Sequence, residues 1–536
     1  MKDDHHSSPV FKSAVRFLSG TLLSRLTGLV RDLSMAWCFG SHPAVAAFMV
    51  AFRFSNLIRR LFGEGQMSNG FIPHFETLRA SSEESGARFF RDLFSTLGLT
   101  LALVILGIEA GLFGWLQIGV GEDTAEILRL TMLMLPGILF ICLFGLGAAL
   151  MQCEKQFFLS GFAPAAFNAV WIAAVWWLKG SSPESAMGPL SIAIVVAFFM
   201  QWLMTAPKTF GFFKRALPIK EFFRPVLFSP EVRKVVAPFL LGAVGIGAVQ
   251  INSALDTLFA RAASLEGPAY LWYAIRIQQL PLALFGIALS SALLPPLSRA
   301  GQAGEWERFR TLLHSALTRS LSFILPSMAA LLVGGAATIN LLYGHGDFSQ
   351  MATLETLLCL WGYAVGLLPA VFILLFAPAF YAQKDFKTPT RAALISVVVN
   401  VTLNALLVFV FGWGAASIAV ATSVSALCNF LYLQKKLQPR TGVVLDSVFA
   451  GSTARIGLST LSATALTLVI GRLFFADPTL DIFLGREALF SRHIPDQALH
   501  FTCLASLFLV SLFIAARLFQ ATELLSLIPK RRRPSA

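Results

Sequence analysis

The chain has 536 residues, 56% hydrophobic and only 13% charged, with a mean hydropathy of +0.71 and a formal net charge of +13. Soluble domains average roughly half apolar and about a quarter charged residues, so this composition describes a polytopic membrane protein with no soluble domain of appreciable size and no nucleic-acid partner. Six scattered cysteines without a CxxC pair argue against a disulfide framework or a thiolate metal site, and the lack of a GxxxxGK[ST] loop argues against an ATP-hydrolysing module.

The N-terminal MKDDHHSSPVFKSAVRF lacks a signal peptide's basic start, short apolar core and small-residue cleavage site, so it is expected to be retained. Apolar runs then predict helical spans over 13–38, 43–70, 89–118, 123–152, 157–178, 186–206, 232–262, 268–298, 306–334, 352–382, 388–411, 414–437, 446–474 and 498–525. The glycine-rich GAVGIGAV, Gly242 to Val249, falls inside the seventh span, where small residues let helices approach closely.

Lys and Arg accumulate on the cytoplasmic side of membrane proteins. Connections after the even-numbered spans carry Arg79 and Arg88, Lys155, Lys208 through Lys234, Arg299, Lys384 and Lys387, and Lys435, Lys436 and Arg440. The intervening connections are nearly bare, apart from a mixed segment over 475–497. Both termini are therefore expected in the cytoplasm, the C-terminal one with KRRR at Lys530 to Arg533 as a headgroup anchor.

Shifted by 223 residues, AFRFSNLIRRLFGEGQMSNGFIP lies over AIRIQQLPLALFGIALSSALLPP, with matches that include Arg53/Arg276, Gly63/Gly286 and Pro73/Pro296. With a one-residue gap, Asp32 also meets Asp256. An offset of six helices preserves orientation, which predicts parallel repeats. The expected fold is all-α, about fourteen transmembrane helices in two six-helix lobes around a central cavity, plus two C-terminal helices. The expected division is an N-lobe over 1–206, a basic linker over 207–231, a C-lobe over 232–438 and a last pair with a basic tail over 439–536.

Arg25 and Arg53 fall near the middle of the first and second spans, Arg31 and Arg276 nearer the outer side, and Arg59 and Arg60 toward the cytoplasmic mouth. Arg25 and Asp32 share a helix face, whereas Arg31 lies about 120° away from Arg25. Some of these arginines can snorkel, or pair with Asp32 and Glu64. The nearby acids are too few to neutralise all of them, and guanidinium forks suit phosphate oxygens. Asp256 in the seventh span, with Asn400 and Asn404 one turn apart on another, could bind a monovalent cation or a proton, or form a salt bridge and interhelical hydrogen bonds.

Together LLSRLTGLVRDLSMAWCFG, FMVAFRFSNLIRRLFGEGQMSNGFIP, WYAIRIQQLPLALFGIALSSALLPPLSR and FAPAFYAQKDFKTPTRAA resemble the MurJ (MviN) lipid II flippases, within the multidrug/oligosaccharidyl-lipid/polysaccharide exporter superfamily. The resemblance runs from about residue 11 to 440. It implies a bacterial inner-membrane transporter without covalent chemistry, moving a peptidoglycan precursor by alternating access. The expected partners are lipid II, membrane lipids and cell-wall synthesis proteins, with no cofactor; a cation gradient or the membrane potential is the candidate energy source, and the sequence does not set the coupling ion. It implies a groove for the undecaprenyl tail at helices thirteen and fourteen. It places the family's cavity arginines on Arg25, Arg31, Arg59 and Arg276, and its acidic position on Glu64. The sequence departs from the family at Ala46, where an aspartate is usual. The alternative within the superfamily is an exporter of another polyprenyl-pyrophosphate glycan or of a cationic drug; a drug exporter should carry acidic rather than basic cavity residues.

Overall fold

A backbone in hydrocarbon must satisfy its polar groups internally, and every described element of this chain is a helix. The computed structural model describes residues 9–62, 66–442, 444–486 and 489–527. The chain forms two compact units, Met1–Ala254 and Leu255–Ala536. The first holds α1 (Pro9–Phe39), α2 (Pro43–Phe62), α3 (Gln66–Ser81), α4 (Glu83–Gln117), α5 (Glu122–Met134), α6 (Gly137–Cys153), α7 (Phe157–Trp177), α8 (Pro183–Ala216) and the short α9 (Ile219–Phe222). The helix α10 (Pro230–Ala263) runs across the division. The second continues with α11 (Gly267–Pro281), a π-helical segment Leu282–Ile287, α12 (Ala288–Gln302), α13 (Trp306–Tyr343), α14 (Gln350–Val365), α15 (Leu367–Tyr381) and α16 (Lys387–Ala405). A second π-helical segment, Leu406–Val410, precedes α17 (Ala416–Thr441), α18 (Ser447–Phe475), α19 (Thr479–Phe483), α20 (Ile494–Leu518) and α21 (Thr522–Leu525).

Most of the long helices follow the expected stretches, but α3 runs to Ser81, beyond the expected second span's end at 70, and α9 and α19 lie between expected spans. Among the described residues, eight are individually long and apolar enough to cross a membrane, and two bent pairs raise the number to ten. The bent pairs are α5 with α6, at 43°, and α14 with α15, at 40°. They are the fourth and tenth stretches, six apart, so the repeat read from the sequence is also written in the backbone. Pro136 lies at the first bend and Gly366 at the second. Both stretches also end alike. Lys155 (φ 57°) and Lys384 (φ 59°) adopt the left-handed conformation, and the next residues close the same long turn, Gln156 N–H to Met151 O at 2.8 Å and Asp385 N–H to Phe380 O at 3.0 Å.

Within the first unit, α1 lies along α7, and α8 packs on α6 and α7. Trp171 of α7 is fully buried, edge-on to Phe48, Phe52 and Phe167. Within the second, α13 packs against α12, α14, α15, α18 and α20, around a core that includes Phe309, Leu313, Leu317, Phe376 and Phe380. Small residues bring α17 up to the α14–α15 bend. A Cβ on Gly366 would meet Ser423 Oγ at 2.3 Å and Ser423 Cα at 2.8 Å, while Ser423 Oγ donates to Gly362 O at 2.6 Å. Backbone cannot give way there as a flexible side chain would.

Gly366→Ala is accordingly expected to cost about 1–3 kcal/mol by overpacking, read as a lower thermal midpoint of the detergent-purified protein. Gly111→Ala on α4, where an added Cβ meets nothing within 4 Å, should leave the midpoint unchanged.

Candidate functional site: intramembrane arginines and an acid–amide cluster

On α1 the two expected arginines have different fates. Arg25 is exposed, whereas Arg31 is buried with Asp32. Adjacent helical residues do not face one another, so the Arg31 side chain curls back to meet its neighbour. Its Nε and Nη2 donate to Asp32 Oδ1 at 3.0 and 2.7 Å, and Nη1 donates to Asn168 Oδ1 of α7 at 3.1 Å. The guanidinium lies over the Trp171 ring, 4.6 Å from its centroid. Asn168 in turn donates to Ser24 O and Thr27 Oγ1, both at 3.0 Å, so one amide fixes α1 on either side of Gly28. An Arg–Asp dipeptide folds the same way on α4, where Arg91 donates to Asp92 Oδ1 at 2.9 and 2.6 Å.

Arg53 on α2 is half-buried. Arg276 on α11 is also half-buried, its guanidinium 4.4 Å from the ring centroid of Trp272 one turn earlier. The side chains of Arg59 and Arg60, and Glu64 altogether, lie outside the described residues. The expected pairing of Asp32 with an arginine is present, with Arg31 as the partner. Sequence periodicity did not point to Asn168 or Trp171; the polar Asn168 in the apolar run FAPAAFNAVW was the available signal.

In the second unit Asp256, Asn400 and Asn404 do come together. Asn404 Nδ2 donates to Asp256 Oδ1 at 2.8 Å and to Asn400 Oδ1 at 3.0 Å, and both asparagines are fully buried. A fourth member, unforeseen from sequence, is Thr422 of α17. Its Oγ1 lies 3.4 Å from Asp256 Oδ2 and accepts from Asn400 Nδ2 at 3.3 Å. The cluster offers one carboxylate with amide and hydroxyl oxygens, a hard-oxygen donor set.

The second unit also holds an apolar cavity of about 490 Å³, lined by α13, α20 and α21 through residues such as Phe323, Pro326, Leu331, Phe508, Leu512 and Leu524. It lies between the ninth and fourteenth expected spans, while α18, the thirteenth, packs on both α13 and α20.

Two compact helical units with several long apolar helices and an apolar cavity describe a polytopic helical membrane protein. The chain belongs to the lipid II flippase MurJ family: the model described as "Lipid II flippase MurJ" matches residues 35–478. A relative named "Probable lipid II flippase MurJ" from Chlamydia pneumoniae is 33% identical over 521 residues, covering 96% of this chain and 94% of its own. "Lipid II flippase MurJ" from Burkholderia cenocepacia is 29% identical, covering 81% of this chain and 86% of its own. In fold, the chain is similar to "Lipid II flippase MurJ, inward closed conformation", with a TM-score of 0.72 at 22% identity over 94% of this chain and 99% of that one. An inward-facing transporter of the multidrug MATE family gives a TM-score of 0.63 at 16% identity, over 80% and 98%.

Removing one partner from a buried ion pair costs about 3–5 kcal/mol. Arg31→Ala should therefore lower the thermal midpoint of the purified protein markedly, and Arg25→Ala, at an exposed position, should leave it near wild type.

Proposed function

We propose that the chain is a lipid II flippase of the bacterial inner membrane, carrying the lipid-linked peptidoglycan precursor to the outer leaflet by alternating access without covalent chemistry. The observation that carries this reading is the set of arginines within the expected first, second and eighth spans of a member of the MurJ family. A lone arginine at the bilayer centre costs about 2.5–3.5 kcal/mol even on the lenient insertion scale, so its retention calls for a task. Guanidinium groups supply that task by taking pyrophosphate oxygens bidentately. Arg25, Arg53 and Arg276 are the proposed ligands, with Arg59 and Arg60 extending the cationic surface toward the cytoplasmic mouth and Glu64 as a gate residue. Arg31 is reached only if pyrophosphate replaces Asp32 or Asn168 on its guanidinium, which ties its contribution to a change of conformation.

The undecaprenyl tail is assigned to the apolar cavity of α13, α20 and α21, whose lining of aromatic and aliphatic side chains matches an isoprenoid. The proposed division is an N-lobe over 1–206, a linker over 207–231, a C-lobe over 232–438 and a tail-binding segment over 439–536. Asp256, Asn400, Asn404 and Thr422 are proposed to hold a monovalent cation or a proton and to couple transport to its gradient. The Asp256 carboxylate and the amide and hydroxyl oxygens beside it are the hard ligands that such an ion takes.

The orientation follows from the Lys/Arg distribution, both termini being cytoplasmic. In intact cells, cysteines at the exposed Glu122 and Asp347 should react with an impermeant thiol reagent and one at the exposed Lys214 should not; labelling at Lys214 would reverse the topology.

The transport reading is tested by outer-leaflet exposure of lipid II, normalised to membrane-inserted protein. Truncating a charge-assisted contact costs about 2–5 kcal/mol, or well over tenfold in affinity. Arg25→Ala and Arg276→Ala should each reduce exposure sharply, and the lysine variants should restore it in part, because an ammonium keeps charge and loses the planar fork. Asp256→Asn should instead abolish the response to an imposed cation gradient while substrate binding stays measurable. Wild-type exposure from both alanine variants would refute the pyrophosphate role of the arginines.

A further inference from the structure

The chain between α8 and α10, 217–229, contains only the single turn α9, yet it is not loose. Six consecutive residues, Phe223 to Phe228, are exposed, Phe223 at 74% and Val226 at 55%, and five of the six are apolar. Their backbone is tied inward to α4. Val226 N–H donates to Asp92 Oδ1 at 3.0 Å, and Phe228 N–H to Thr96 Oγ1 at 3.1 Å. Arg91 Nη1 donates to Glu221 O at 2.7 Å, and Arg88 holds both Glu221 carboxylate oxygens at 2.9 and 3.1 Å. Phe228 sits at φ 52°, a conformation that bulky residues avoid, while Arg233 Nε donates to its carbonyl at 2.9 Å. The polar backbone is turned toward the protein and the apolar side chains are turned away, against local conformational preference.

Two further observations say what lies outside. On α4, Asp92 ends the charged N-terminal third and no other charge occurs before Glu109, so the ties at Asp92 and Thr96 hold the run level with the start of an apolar span. The basic residues around it also divide in two. Arg79, Arg88, Arg91 and Arg215 are each paired with a carboxylate, of Glu154, Glu221, Asp92 and Glu83 among others. Lys208, Lys214, Lys220 and Arg224 are exposed and make no ion pair among the described residues. Apolar side chains at an interfacial depth, ringed by unmatched cations, suit a lipid that is apolar below and anionic above.

We infer that this linker is a docking surface for anionic glycerophospholipid on the Lys/Arg-rich side of the membrane. Phe223, Val226, Leu227 and Phe228 enter the acyl boundary, and Lys220 and Arg224, supported by Lys208 and Lys214, take headgroup phosphates.

The test uses the full chain in nanodiscs of phosphatidylcholine with or without phosphatidylglycerol. Native mass spectrometry should find phosphatidylglycerol retained in preference to phosphatidylcholine. K220Q with R224Q should lower retained phosphatidylglycerol severalfold, whereas the charge-matched control K435Q with K436Q should not. Hydrogen exchange over 217–229 should be slower with phosphatidylglycerol present, and unchanged exchange in α8 and α10 confirms that the variants remain folded. Equal retention of the two lipids by wild type, or equal loss in the control pair, overturns the proposal. So does fast exchange of the linker in both bilayers, which would leave this face to a protein partner. Lipid retention is read without flipping, so the outcome is independent of the transport reading.

Discussion

A charge on a membrane-spanning helix has to be matched by a counter-charge, by hydrogen bonds or by water, and the way each arginine meets that demand sorts the helices of this protein by role. Arg31 meets it inside the bundle. Asp32, Asn168 and the face of Trp171 surround its guanidinium, so the residue that brings charge into the first helix also clamps α1 to α7. Arg25, two turns earlier on the same helix, is exposed. One helix thus carries both a buried cation with a structural task and a cation available to an anionic ligand, and their spacing is fixed by the same asparagine that reaches Ser24 O.

The same rule separates the ends of the helices from their middles. At 34 residues α8 is about 51 Å long at 1.5 Å per residue, well beyond a hydrocarbon core of roughly 30 Å. Its basic end therefore projects into water, where Arg215 reaches Glu83 and Glu154. Such exposed pairs contribute about 0–1 kcal/mol each. Their value is geometric: with Arg88 and Glu221 they hold the 217–229 connection in one place.

Most of the fold was legible because long apolar runs have few alternatives in a membrane, and the alternating Lys/Arg loops kept the count of spans consistent. The repeat was legible because Arg, Asp, Gly and Pro matched at one offset. What the sequence concealed were features set by contacts between helices. The bend at Gly366 depends on Ser423 of α17, and Thr422 completes the Asp256 cluster from a helix whose register cannot be read from hydropathy. The Arg31–Asp32 pair was hidden for another reason. Helical periodicity puts neighbours on different faces, and only the length of an arginine side chain lets it reach back. The sequence grouped Arg31 with Arg25 and Arg276 as cations that nearby acids were too few to neutralise, and the structure buries Arg31 against Asp32 and Asn168 while Arg25 is exposed.

The two halves of the repeat then diverge at one informative place. Asp32 and Asp256 occupy matching positions, but Arg31 precedes the first and Leu255 the second. In the first unit the carboxylate holds a permanent cation supplied by its own helix. In the second it accepts from the amide of Asn404 and the hydroxyl of Thr422, which two other helices contribute. The residue beside the duplicated aspartate therefore differs between the units, and donors come to it from its own helix in one and from other helices in the other. The first unit uses its aspartate to join α1 to α7 through Arg31 and Asn168, and the second uses its own to join α10 to α16 and α17.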